Sequence, residues 1–329
     1  MLSGFEYTTP ATLNDALELL AESPAGVAPI AGGTDLITQM RTGIAAPRRL
    51  VSLASIAELA CLEINEDGLR AGALTPLVRI ASDPQIRTHW TALAQGAGAA
   101  ASPQIRNAGT LGGNLCQRPR CWYFRSEDFH CRKKGGNECF ALEGENKYHA
   151  IFGGDDCRIV HPSDTAPALI AFGAEVSLRS ARGDRRLPLE SFFALPSADV
   201  TRENVLERDE IVAELRVPNP PPGTRSAYLK VKEKDSFDFA MVSCAAVLSF
   251  DGDRCTRARL VLGGVAPIPW RCAAAEQLLE DRPLGDDAIA ACARAALEGA
   301  SPLSKNRYKV LMAQAAIRRV LASLASSPD

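Results

Sequence analysis

The sequence is poor in the residues from which most catalytic and metal sites are made. Its 329 residues include four histidines and three tryptophans, and aromatics make up only 6% of the chain. No C-x-x-C occurs anywhere, so the usual spacing of a zinc finger or thioredoxin-like redox pair is missing. No glycine fingerprint for a nicotinamide cofactor follows a strand. The nearest run, G-A-G-A-A-A from Gly96, lacks the third glycine and continues a helical stretch. Charge is nearly balanced, with a formal net of −2, which argues against nucleic acid or an anionic membrane surface as the main partner. The longest apolar run, Phe239 to Phe250, is too short to cross a bilayer and reads as a buried strand. The opening M-L-S-G-F-E-Y has no charged region, apolar core or cleavage site, so nothing sends the chain alone to an oxidising compartment. There is no internal repeat and no low-complexity tract. With 46% hydrophobic residues, this length suffices for two or three ordinary cores.

Cysteine, by contrast, is concentrated. Five of the ten, Cys116, Cys121, Cys131, Cys139 and Cys157, fall between T-L-G-G-N at Thr110–Asn114 and H-P-S-D at His161–Asp164. Cys61, Cys244, Cys255, Cys272 and Cys292 occur singly in apolar settings and read as small core residues. Around the clustered ones stand Arg120, Arg132, Lys133, Lys134, Arg158 and several glycines. Basic groups lower thiol pKa values, and glycines let backbone amides turn toward an anion. Disulfides suit this pattern poorly without a leader. Structural zinc favours paired short C-x(2–4)-C spacings, whereas here nine, seven and seventeen residues separate the cysteines after Cys121. An iron–sulfur cluster tolerates irregular loops, because the cluster itself organises them. The chemistry of these residues alone leaves zinc and iron–sulfur both open. His149 and His161 read as structural hydrogen-bonders.

Along the chain, Thr12 is placed to cap an amphipathic helix with Leu13, Leu17 and Leu20 on one face. Val27–Ile30 reads as a strand running into A-G-G-T-D-L (Ala31–Leu36) and a helix, an arrangement able to hold phosphate on backbone N–H groups. Helices are expected over 80–89, 90–101, 165–172, 270–280, 286–298 and 304–325. A hairpin is expected over 175–189, and Asp251-Gly252 marks a second one. Pro218–Gly223 holds four prolines in six residues and reads as a linker.

Taken together, A-G-G-T-D-L, S-P-Q-I-R-N-A-G-T-L-G-G-N (Ser102–Asn114) and P-S-D (Pro162–Asp164), with V-L-G-G-V-A-P-I-P-W-R and K-N-R-Y-K-V-L-M-A in the tail, resemble the FAD-binding medium subunit of the xanthine dehydrogenase, or molybdenum hydroxylase, family. The cysteine-rich insert is similar to that of the bacterial periplasmic-type aldehyde oxidoreductases, whose flavin subunit carries a [4Fe–4S] cluster. The resemblance implies an α+β chain. Residues 1–222 would form a VAO/PCMH-type FAD-binding domain, with subdomains of about 1–60 and 61–222 and an insert of about 116–160. Residues 223–329 would form a smaller α+β domain of the CO dehydrogenase flavoprotein type.

Carried over residue by residue, it implies Cys121, Cys131, Cys139 and Cys157 as cluster ligands, with Cys116 a bystander. For FAD it implies Ala28, Pro29, Ile30, Ala31, Gly32, Gly33, Thr34, Asp35 and Leu36 around the pyrophosphate, with Ser102, Thr110, Gly113, Asn114, Asp164, Ile211 and Lys230 completing the site. The family's K-x-x-x-R is Lys230…Lys234 here, which puts any guanidinium contact in question. Asp164 as a helix cap and Lys230 as a strand-surface charge are the plainer alternatives. The function implied is an oxidoreductase subunit with no catalytic residue of its own. It passes electrons from a small [2Fe–2S] subunit, served by a large molybdopterin subunit, to an external acceptor such as ferredoxin, oxygen or a quinone. A 4-hydroxybenzoyl-CoA reductase subunit, a stand-alone flavin oxidase and a zinc-stapled binding module are the alternatives. No nucleic acid and no membrane insertion are expected. The location expected from the chain's own sequence is cytoplasmic, or periplasmic if it is exported with a partner subunit.

Overall fold

The computed structural model describes residues 4–325 except positions 24 and 236; the opening Met1-Leu2-Ser3 of the leaderless reading lies outside them. Three sheets follow one another along the chain. The first is parallel, in the order β1-β3-β2, from β1 (Glu6–Thr8), β2 (Val27–Ile30) and β3 (Arg49–Ser52). Helix Leu13–Glu22 covers it. The Thr12 hydroxyl accepts from Asp15 N at 3.2 Å while Asp15 Oδ2 accepts from Thr12 N at 3.3 Å, a reciprocal cap. The helix buries Leu13, Ala16, Leu17 and Leu20, the face its periodicity predicts.

The second sheet is antiparallel and is built from β4 (Leu62–Asn65), β5 (Gly68–Gly72), β6 (Glu175–Ser180), β7 (Gly183–Pro188) and β8 (Ile211–Pro218), in the order β4-β5-β8-β6-β7. Between β5 and β6 the chain makes the helices Leu77–Ser82, Pro84–His89, Thr91–Ala99, Pro103–Ala108 and Leu111–Leu115, then the cysteine insert. One helix had been expected over 80–89; two form. Asp83 breaks the run, its carboxylate accepting from Gln85 N and Ile86 N, with Pro84 as the first residue of the second helix.

The third sheet runs β12-β11-β10-β9, from β9 (Thr224–Val231), β10 (Val242–Asp251), β11 (Arg254–Gly263) and β12 (Trp270–Arg271), with β13 (Arg282–Pro283) at the end of β11. Asp251 pairs with Arg254 across the predicted turn. One face packs under helices Asp286–Ala295 and Tyr308–Ala325; the other sends Tyr228, Ala245, Val247 and Val261 into the core of the middle sheet. Burial on both faces explains why Val242–Leu248 is buried throughout and, but for Ser243, apolar without alternation.

Two tail expectations are corrected. Over 270–280 only Ala273–Glu276 is helical, because Trp270 stacks on Phe152 (centroids 4.9 Å apart) and pairs with Leu262 as a strand. The last helix begins at Tyr308, since Asn306 is held elsewhere, donating to the carbonyls of His149 and Ala150.

Candidate functional site

The first glycine turn connects β2 to the short helix Leu36–Arg41. Gly33 sits at φ +68°, where glycine is favoured. Gly32 packs so closely on the second motif that a Cβ there would lie 1.8 Å from the Ala108 carbonyl oxygen. Opposite, the Thr110 hydroxyl accepts from Gly113 N at 3.2 Å, and a Cβ on Gly112 would collide with Ala73 at 2.7 Å. The two bends therefore face each other across a groove with a cavity of about 330 Å³. Ala28 to Leu36 form one wall, Thr110, Gly112 and Gly113 the other, and Ile211 closes one side with Leu206 and Glu210. Cys116 also lines the groove, and burial pushes its thiol up to about 12.

Four predicted residues, Ser102, Asn114, Asp164 and Lys230, are not part of this lining. Ser102 accepts from Ile105 N as the cap of helix Pro103–Ala108. The Asn114 side-chain oxygen accepts from Ser163 Oγ (2.6 Å) and Thr165 Oγ1 (2.7 Å). Asp164 and Lys230 form a buried pair at 2.8 Å; Tyr228 donates to the other carboxylate oxygen at 2.7 Å, and Lys230 also donates to the Ala99 carbonyl. Burial raises the Asp164 pKa and Lys230 opposes the shift. The capping role falls to Ser163, whose hydroxyl accepts from Ala166 N, and Lys230 is not a surface charge.

Cys121, Cys131, Cys139 and Cys157 line one small enclosed cavity with Tyr123, Phe124, Phe140, His149 and Ile159. All ten cysteines are free. The neighbouring Cys157 thiol holds the Cys139 pKa down, and Cys139 raises that of Cys157. Burial raises Cys121 to about 12. The main-chain groups of Tyr123 and Phe124 beside Cys121, of Ala141 and Arg158 beside Cys139, and of Ile159 beside Cys157 each pull the thiol pKa down and so favour the thiolate. His149 Nε2 lies 3.2 Å from Cys121 Sγ, and burial lowers its pKa to about 4. Among the described residues no three His, Cys, Asp or Glu side chains are grouped to hold a single ion.

The insert has little regular structure, and side chains fasten it. Lys133 and Arg118 both pair with the buried Glu203, at 2.8 and 2.9 Å. From the tail, Lys309 donates to the Tyr148 and Gly264 carbonyls and Tyr308 to that of Lys147, so K-N-R-Y-K serves as a clamp. Asp35 joins insert to groove. Its Oδ1 accepts from Arg120 and Arg125, each at 2.9 Å, and its Oδ2 from Gln39 and from Arg118 N, each at 2.8 Å. Sequence reading missed Glu203, Arg118, Arg125 and this pairing of Arg120 with Asp35; Glu203 and its partners, and Asp35 and the arginines, lie 70 or more residues apart, and no local pattern marks them. A further cavity of about 320 Å³ lies between insert and tail. It shares Cys121 and His149 with the cysteine pocket and is bordered by the half-exposed Trp122, Tyr148 and Phe239.

Residues 3–220 match the family described as the FAD binding domain in molybdopterin dehydrogenase, and residues 226–324 match the CO dehydrogenase flavoprotein C-terminal domain. The chain is 34% identical to the aldehyde oxidoreductase FAD-binding subunit PaoB of Escherichia coli, over 98% of both chains. It is 28% identical to the carbon monoxide dehydrogenase medium chain of Hydrogenophaga pseudoflava, over 96% of both. A solved carbon monoxide dehydrogenase from the latter organism superimposes with a TM-score of 0.79 at 27% identity, covering 98% of each chain.

Proposed function

Because this chain belongs to the family of FAD-binding medium subunits of the molybdenum hydroxylases, we propose that it is the electron-relaying subunit of an aldehyde oxidoreductase, with FAD in the glycine groove and a [4Fe–4S] cluster on Cys121, Cys131, Cys139 and Cys157. The observation that carries the cluster is the set of four cysteines around one cavity, three of them beside main-chain groups that favour the thiolate. Ligands of one zinc converge at about 2.3 Å from a single point. Ligands of a cluster bind different irons and surround a volume instead, and four cysteines on the wall of one cavity support that reading. The main-chain groups, together with Lys133 and Arg158 nearby, offset thiolate charge and set the potential.

The groove suits a dinucleotide because its walls are main chain. At Gly32, Gly33, Gly112 and Gly113 the backbone approaches with no side chain between; Gly112 N and Gly113 N already donate to the Ala73 carbonyl and the Thr110 hydroxyl, so the pyrophosphate would be met by the amides of the Gly32–Thr34 bend. The reading extends the cofactor past Gly113 toward Ser102, Asn114 and the Asp164–Lys230 pair, where the lysine ammonium would favour negative charge on a reduced ring. FAD, when bound, supplies the chemistry of taking up and releasing electrons one or two at a time, and a cluster moves them singly. The protein's task is to position both, keep water from the cysteines with Phe124, Phe140 and Ile159, and hold the reduced charge. Partners in this reading are a small [2Fe–2S] subunit and a large molybdopterin subunit. An external acceptor, ferredoxin, oxygen or a quinone, would approach at the Trp122–Phe239 opening, one residue from Cys121.

Metal and flavin analysis of the chain as purified tests the proposal. About four irons and one flavin per chain are expected, with the broad visible absorption of a cluster. Zinc without iron, or flavin without either metal, rejects the cluster.

A further inference from the structure

Asp35 lies in the turn that the family resemblance gives to the pyrophosphate, yet its carboxylate is committed elsewhere. It is the residue before helix Leu36–Arg41 and makes no side-chain cap to it. Three of its four partners belong to the start of the cysteine insert: Arg118 through its main-chain N–H, and Arg120 and Arg125 through their guanidinium groups. Arg120 immediately precedes Cys121. Arg125 ends the helix Trp122–Arg125 that follows it, and also donates to the carbonyls of Pro119 and Arg118. One carboxylate thus fixes the chain on both sides of the first cysteine. The fourth partner, Gln39, is one turn into the helix that begins at the glycine bend. The far end of that helix meets the insert too: a Cβ at Gly43 would lie 1.8 Å from the Glu127 carboxylate. Backbone conformation at Thr34-Asp35 and the position of Cys121 are therefore not independent. Any ordering of the turn by a bound pyrophosphate restricts where the Asp35 carboxylate points, and through it the loop that presents Cys121.

We infer that Asp35 is a positioning residue that couples cofactor binding in the glycine groove to the placement of Cys121 in the insert, without itself contacting the cofactor through its carboxylate. This deepens the reading above, and rests on it for the identity of the groove's occupant. The coupling is a shared free energy, so occupation of the groove must change the freedom of Cys121.

The test uses the full chain stripped of flavin and iron, so it does not depend on whether a cluster forms. The rate of Cys121 alkylation by iodoacetamide is followed by mass spectrometry, with and without saturating FAD, the affinity being measured for each protein. In the wild type FAD is expected to slow Cys121 alkylation about fivefold or more, the lower range of ordinary coupling. In Asp35→Asn that ratio falls to near one, although both rates rise. A purely structural Asp35 would change the two rates by a common factor and leave the ratio intact. The double variant Arg120→Gln/Arg125→Gln approaches from the insert side with the glycine turn untouched, and should lose the ratio while binding FAD; it serves if Asp35→Asn folds poorly. An equal FAD effect in wild type and variants, or no effect in the wild type, overturns the inference. Absence of iron from the purified chain counts against the cluster alone.

Discussion

The glycine groove and the cysteine insert are neighbours built on opposite principles. The groove is made of main chain held by regular structure: its turns follow β2 and helix Pro103–Ala108, and at Gly32 and Gly112 other elements approach so closely that a Cβ would collide with the Ala108 carbonyl or with Ala73. The insert is made of side chains on irregular main chain, kept in place by Glu203, Asp35, Asn306 and Lys309. A site of the first kind is specified by local geometry and tolerates change in most side chains. A site of the second kind is specified by distant pairs and fails when one partner is lost. The largest expected effect follows directly. Replacing Cys131 or Cys157 by Ser, both buried, should abolish iron retention while flavin content stays at half of wild type or better. Iron retained at full stoichiometry in both variants would mean that these are not the ligands.

The second way to break the comparison is at the buried anchor. Lys133 and Glu203 are almost fully buried and paired at 2.8 Å, and Lys133 also donates to the Val200 and Arg202 carbonyls. Lys133→Met removes the cation and leaves Glu203 with Arg118 alone. Loss of one partner of a buried pair costs about 3–5 kcal/mol, so a marked drop in the denaturant midpoint is expected, together with loss of iron. A midpoint within experimental error of wild type would show that side-chain anchoring matters less than the structure implies. On the groove side, Gly32→Ala forces a methyl group against the Ala108 carbonyl. Overpacking of this kind costs about 1–3 kcal/mol. Here the separation between the regions should appear as flavin loss exceeding iron loss in the same preparation, measured by flavin fluorescence and metal analysis.

Much of the scaffold is legible in sequence because it is local. Thr12 with Leu13, Leu17 and Leu20 announces a capped amphipathic helix, Asp251-Gly252 a hairpin, and the mostly apolar run through Val247 a buried strand. The paired glycines are legible as bends for the same reason. The rest depends on what lies far away in sequence. A helix over 270–280 is plausible from its alanines, but Trp270 has a better partner in Phe152. Asp35 belongs to a recognisable motif, yet its ligands are Arg118, Arg120 and Arg125, more than eighty residues on. Lys230 is implied at the flavin site by resemblance, with a strand-surface charge as the alternative, and nothing local shows that Asp164 meets it inside the protein. Spacing marks the cysteines as unusual without deciding their chemistry; that Cys121, Cys131, Cys139 and Cys157 share one cavity is a fact of the folded chain alone.

The smallest expected effect concerns His161, on the seam between the two regions. Its Nε2 lies 3.2 Å from the Leu115 carbonyl, so that nitrogen carries the hydrogen, and Nδ1 accepts from Ser163 N. The ring packs edge-on against Phe193. A second proton would have to sit on Nδ1, facing a donor, in a place where burial first, and then the nearby Arg120 and Lys133 charges, disfavour a cation; its pKa is lowered to about 3. In the unfolded chain the same imidazole titrates near 6.5. Above that value neither state binds the proton and the residue adds no pH dependence. Between 6.5 and 3 the unfolded state is protonated and the folded one is not, so stability falls as the pH drops, by up to about 1.4 kcal/mol per unit. His161→Gln preserves a donor for Leu115 and removes the titration. Its stability should therefore change less than that of wild type between pH 6.5 and 4.5 in chemical denaturation. Since His161 bonds the end of the groove helix at Leu115 and begins the strand of chain that leaves the insert, acid should loosen both regions together, and equal slopes for the two proteins would place the acid sensitivity in other groups.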